Sequence, residues 1–170
     1  PAPTLGGQIM AIQTTVSGPW DRRPVEGRDD VLLYTTDILD QDVEVTGPVW
    51  LTLFASSTAP DTDFTGTLVD VHEDGKAIII CEGLLRARFR ESNEHPTLMK
   101  LGKIYKLQIN MWETSNVFKA GHRIRLEISS SNFPRFDRNP NTMHTPGIEV
   151  EIRVADQTIF HDVESPSYIT

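Results

Sequence analysis

Residues 60–92, PDTDFTGTLVDVHEDGKAIIICEGLLRARFRES, constrain the fold of this chain more than any other stretch. Phe64, Gly66, Leu68 and Asp70 fall on one side of an extended backbone, and Thr65, Thr67, Val69 and Val71 on the other. That period of two marks a strand, because successive side chains of an extended chain point to opposite faces. Asp74-Gly75 follows, the dipeptide that most readily takes the left-handed angles of a two-residue hairpin turn. Residues 77–81 are a continuous apolar run suited to a strand covered on both faces. Residues 84–90 alternate again, with Leu85, Ala87 and Phe89 opposed to Leu84, Arg86, Arg88 and Arg90. The stretch predicts three consecutive strands, and such a meander needs a second layer to cover it.

Further strands are predicted at 8–16, 31–36, 43–46, 49–57, 104–112, 122–130, 148–154 and 158–161, with Gly47-Pro48 turning the chain between the third and fourth of these. The cleanest alternation is at 122–130, where Ile124, Leu126 and Ile128 oppose Arg123, Arg125 and Glu127. Residues 17–30 carry charges of both signs and read as a solvated, internally paired loop, with Trp20 as a core plug or an interface contact. Long loops are also expected at 91–102 and 131–147. No segment has three turns of helical pattern. About ten short strands with turn signals between them predict an all-β chain, a β-sandwich of jelly-roll type.

At 170 residues the chain is expected to be one domain, residues 1–170, burying roughly 70% of its unfolded surface. A net charge of −8 argues against a nucleic-acid or anionic-membrane partner, which would need a basic face. No stretch approaches the roughly 20 apolar residues of a membrane-spanning helix. The lone Cys81 lies in an apolar run and reads as a small hydrophobe. The first ten residues lack the basic and apolar regions of a secretory signal, and their prolines suggest a linker. A reduced, cytoplasmic setting is the expectation.

The search for chemistry is largely negative. Asp61-Thr62-Asp63 and Gly66 match positions one, three and six of a calcium loop. Position twelve is His72, however, and strands replace the flanking helices, so an Asx turn at the start of the strand is the expected role. Serines 129–131 sit in no nucleophile elbow. His72, His95, His122, His144 and His161 show no paired spacing, and His122 reads as a turn or edge residue, so no metal is expected. No glycine-rich loop precedes a helix, so no cofactor is expected either. Two classes remain: a carbohydrate-binding module, or an accessory domain docked on a catalytic neighbour. Asn132, Phe133, Arg135 and Phe136 are the candidate interdomain contacts, since aromatics and arginines favour buried interfaces. The alternative is that this loop folds its phenylalanines onto its own sandwich. A sugar platform wants exposed Trp or Tyr, which the loop lacks.

Residues 18–39, 43–92 and 115–142, above all the motifs DTDFTGTLVDV and SSSNFPRFDRN, resemble the C-terminal domain of cocaine-esterase-like and X-Pro dipeptidyl-peptidase-like serine hydrolases, more closely the esterase branch. The resemblance implies a jelly roll with galactose-binding-like topology, the last part of a larger polypeptide. It implies that the catalytic triad lies in a preceding α/β-hydrolase domain, with no member here, so that this segment alone is inactive. The implied partners are that hydrolase and its helical cap, which the domain helps to close over an acyl pocket. The segment after Gly6-Gly7 would approach the pocket, placing Met10 and Ala11 at its edge, with Ala11 where a bulkier aromatic would make a tighter wall. With its docking face exposed, the isolated domain is expected to self-associate. A free-standing carbohydrate-binding module is the alternative.

Overall fold

In the computed structural model, which describes residues 18–144 and 151–170, the alternating segment becomes β3 (Asp63–Val71), and all nine of its residues are buried. An alternating strand with one wet face would bury only every second residue. Here both faces are covered. β3 pairs antiparallel with β4 (Ala77–Arg86) and with β6 (Arg123–Ser129). The β3–β4 hairpin turns at Asp74-Gly75, but through three residues rather than two, closed by the bond from the His72 N–H to the Lys76 carbonyl, and its register shifts between Leu68 and Val69. Gly75 takes φ +82° in that turn. β1 (Leu32–Thr35) completes a sheet of order β1-β6-β3-β4.

The second sheet has the order β5-β2-β7, formed by β2 (Val43–Ser57), β5 (Tyr105–Phe118) and β7 (Gln157–Phe160). A short β8 (Tyr168–Ile169) also pairs with β2. Between the sheets lie Leu51, Leu53, Phe64, Leu68, Leu107, Ile109, Met111 and Phe118, each at most 3% exposed. Burying a side chain of this size stabilises by about 1.5–3 kcal/mol, so this layer holds the sandwich together. The all-β sandwich is as predicted.

Several elements differ from expectation. Residues 77–86 form one strand, not two, and 87–89 form a 3-10 turn. Gly83 sits inside that strand because the sheets nearly touch there: a Cβ would overlap the Asn110 carbonyl of β5. The Gly47-Pro48 signal marks no chain reversal, and β2 runs through it. Gly47 takes φ +125°, and the pairing with β5 shifts register just after Pro48. Residues 151–154 form no strand, and β7 pairs with β2 instead.

The 18–30 segment is not a free solvated loop. It holds a four-residue helix, α1 (Arg23–Glu26), with Pro24 in its first turn, and is fastened to β4 and β6 of the first sheet. Arg22 Nε donates to Glu127 Oε2 at 2.7 Å, and Arg125 Nη1 to Glu26 Oε2 at 2.8 Å. Glu127, on the polar side of β6, is only 2% exposed. Burial pushes its carboxyl above the ordinary range, with Arg22 opposing. The strand expected at 8–16, with Met10 and Ala11, lies outside the described residues.

Candidate functional site

Two surfaces could carry function: the loop at 131–144 and the outer face of the second sheet. The loop is fastened to buried carboxylates. Asn132 Nδ2 donates to Glu82 Oε2 at 2.8 Å and Arg135 Nη1 to Glu82 Oε1 at 2.6 Å. Glu82 is 1% exposed on the outer face of β4, so its charge needs these donors. Asn132 and Arg135 are therefore internal clamps. Phe133 stands out into solvent at 42% exposure, and the Arg135 guanidinium lies 5.1 Å from the Phe136 ring centre.

The same loop closes over Asp61 and Asp63. Arg88 donates its backbone N–H (2.9 Å) and its Nε (2.7 Å) to Asp61. Arg86 grips Asp63 in two-pronged fashion at 2.8 and 2.9 Å. Asn139 Nδ2 donates to both carboxylates, at 2.9 and 2.8 Å. Burial raises the Asp63 carboxyl above its ordinary range, while Arg86 and Asn139 pull it down. Two guanidinium cations occupy the place a calcium ion would take, and the carboxylates bond to distant residues rather than to a local turn. This network was legible in principle. The hairpin sets Asp63 opposite Arg86, and the two acids share the two-residue spacing of Arg86 and Arg88.

The second sheet presents Trp50, Trp112 and Tyr168 at 40%, 52% and 45% exposure. Trp50 alternates with the core residues Val49 and Leu51, so it points outward; Tyr168 faces Thr52 from β8, on the same side. Trp112 owes its position to a bulge. Pro48 pairs with Glu113 and Trp50 with Asn110, so Val49 alone faces both Met111 and Trp112. Trp112 takes φ +70°, costly for a bulky residue, and its N–H is accepted by Asn110 Oδ1 at 2.8 Å. Met111 is thereby fully buried and Trp112 left outside. The sequence placed Trp50 on a strand face but gave no signal for the bulge.

A third cluster joins histidines that linear spacing kept apart. His122 Nδ1 lies 2.8 Å from Asp70 Oδ1, His72 Nε2 lies 3.6 Å from Asp70 Oδ2, and the two imidazoles stack at 4.4 Å. His122 does sit at a strand edge as expected, but it is engaged there. Cys81 is buried, and its thiol is pushed up to about 12 by desolvation, which leaves it an unreactive core residue.

Comparison with known proteins places this arrangement. Residues 2–170 match the family described as the X-Pro dipeptidyl-peptidase C-terminal non-catalytic domain. The chain is 49% identical, over 99% of its length, to the cocaine esterase of Rhodococcus sp. (strain MB1 Bresler), and spans 30% of that protein. Among solved structures, an alpha-amino acid ester hydrolase superposes over 89% of this chain and 26% of its own, with TM-score 0.82 and 30% identity. An aminopeptidase from a marine sediment archaeon (Thaumarchaeota) superposes over 89% of this chain and 27% of its own, with TM-score 0.84 and 30% identity. Each relative is several times longer than the part it shares with this sandwich. The chain belongs to the family of X-Pro dipeptidyl-peptidase C-terminal non-catalytic domains.

Proposed function

We propose that this domain packs on the catalytic α/β-hydrolase and cap domains of the same polypeptide, a serine hydrolase of the ester/amide or X-Pro dipeptidyl-peptidase type, and helps to shape its substrate pocket. The observation that carries this is the outward face of the second sheet. Trp50, Trp112 and Tyr168 lie exposed there, while in the first sheet the central strand β3 is buried on both faces by the chain itself and only the edge strand β1 is open. Aromatics of this size are what interface cores are enriched in. The length of the relatives beyond the shared 30% supplies the covering partner. In this reading Met10 and Ala11 border the acyl pocket, as the family resemblance implies, and Phe133 is a second contact from the pinned loop. The domain's contribution is shape and exclusion of water, which strengthens electrostatic stabilisation in a catalytic cleft.

The test is the Trp50→Ser, Trp112→Ser pair in the full-length polypeptide. We expect a fall in kcat/KM for an ester substrate and easier proteolytic release of this domain, with the melting of the isolated 170 residues little changed. Tryptophans equally open to a quencher in the isolated domain and the full-length protein would overturn the docking face. The isolated chain is expected to show no turnover of a nitrophenyl ester, and to self-associate through the same face. Exposed Trp and Tyr are also what a sugar platform needs. Specific glycan binding by the isolated chain, lost in the same double variant, would favour the carbohydrate-binding reading instead.

A further inference from the structure

We propose that Asp70, His72 and His122 form a binding site for a divalent transition-metal ion of the zinc class. The geometry follows from strand register. β3 and β6 run antiparallel with Asp70 opposite Ile124 and Val71 opposite Arg123. One step further sets His72 opposite His122, and Asp70 shares a side with His72 by the two-residue period. One ligand atom from each residue lies within 4.8 Å of the others. Bonds of about 2.0–2.2 Å to a common ion require donor atoms roughly 3–3.5 Å apart. The 2.8 Å from Asp70 Oδ1 to His122 Nδ1 and the 3.6 Å from Asp70 Oδ2 to His72 Nε2 lie on either side of that range, and side-chain rotation would draw the three ligand atoms, already within 4.8 Å of one another, onto a common ion.

The surroundings suit a cation. The side chains of Asp70 and His122 are 10% and 17% exposed and stand on or beside paired strands, so the site is largely preorganised. His72, at 37%, forms the open side through which an ion and its remaining water ligands would enter. The neighbouring cations are turned to other partners: Lys119 to Asp42, Lys76 to Asp74, Arg123 to the Thr36 carbonyl, and Arg125 to Glu26. The Glu73 carboxylate packs against Gly121, next to His122, and adds negative charge. Two imidazole nitrogens and one carboxylate form a donor set for zinc, nickel, cobalt or copper, not for calcium or magnesium, which take oxygen ligands. A bound ion would clip the end of the β3–β4 hairpin to the turn that enters β6.

Zinc chloride titrated calorimetrically into the metal-stripped protein tests this, with cobalt(II) as a spectroscopic substitute. Expected are one zinc per chain, a rise in melting temperature with zinc, and a cobalt visible spectrum perturbed by imidazole. His72→Ala, at the open side and so compatible with folding, should weaken zinc binding by at least about tenfold to a hundredfold, the loss that even supporting residues of metal sites produce. His95→Ala, on an exposed loop, should leave it unchanged. Absence of saturable uptake, equal uptake by the His72→Ala variant, or uptake abolished by His95→Ala would each overturn the proposal.

Discussion

β3 carries carboxylates at both ends, and the two ends treat them differently. At its start Asp61 and Asp63 point into a cage of Arg86, Arg88 and Asn139, under a loop drawn from 131–144. At its finish Asp70 meets His72 and His122 at a partly open edge. Arginine stays charged at any pH a protein meets, so the first end always keeps its cations and serves as a lock. Histidine is a conditional cation and, when neutral, a metal ligand. The second end can therefore take up a metal ion, whereas the first is already filled by guanidinium cations. The sharpest break of this contrast is Asp61→Ala. It would leave the Arg88 guanidinium, 8% exposed, without its buried partner, and loss of one member of such a pair costs about 3–5 kcal/mol. We expect a drop of that order in unfolding free energy by urea titration. An unchanged midpoint would mean that the caged end is no lock.

Variants at the open end should cost less. Gly121→Ala places a Cβ at φ +86° and against the Glu73 carboxylate, the movable end of a flexible side chain. The left-handed conformation alone costs a non-glycine residue roughly 1–2 kcal/mol. His122→Ala removes one partly exposed hydrogen bond and a ring stack, worth about 1 kcal/mol. The same urea experiment should rank these two well below Asp61→Ala. A His122→Ala loss equal to that of Asp61→Ala would show the open end to be as much a structural lock as the cage.

What the sequence revealed divides along the same line. The alternation of 64–71 and the turn at Asp74-Gly75 were legible because local periodicity and turn chemistry decide them. The continuity of β4 was not, since Gly83 resembles a turn residue until the Asn110 carbonyl pressed against it is known. The polar side of β6 appeared solvated, yet Glu127 is buried under Arg22, a partner 105 residues away. Nothing local announces such a pairing. The Asp63–Arg86 half of the cage follows from the hairpin pairing, including its register shift at Leu68 and Val69, while Arg88 reaches Asp61 from the 3-10 turn beyond the strand. The His72–His122 pair required the register of β3 on β6, two strands far apart in sequence. Family resemblance identified the scaffold through long motifs, and those motifs contain Asp61, Asp63 and Asn139 but neither arginine of the cage.

The smallest expected effect is in acid, where the two ends should have opposite signs. Asp21 pairs with Ala77, at the start of β4, near the Asp70 end of the sheet. The Arg23 side chain holds its carboxyl down at about 2, against an ordinary 3.8. A folded value below the unfolded one contributes stability above about pH 4, and that contribution is lost as pH falls from 3.8 through 2. Asp63 runs the other way. Burial raises its folded value, so its contribution is present below 3.8 and lost as pH rises through the raised value. Urea midpoints measured between about pH 2 and 6 should therefore show the deficit of Asp21→Asn closing as acid is added. The pH-dependent part of the Asp63→Asn deficit should close as acid is withdrawn. Because Asp21 and Arg23 are partly exposed, the Asp21 effect should be slight and should shrink with added salt. A salt-insensitive Asp21 effect, or the same pH slope for both variants, would show that the two ends share one electrostatic environment.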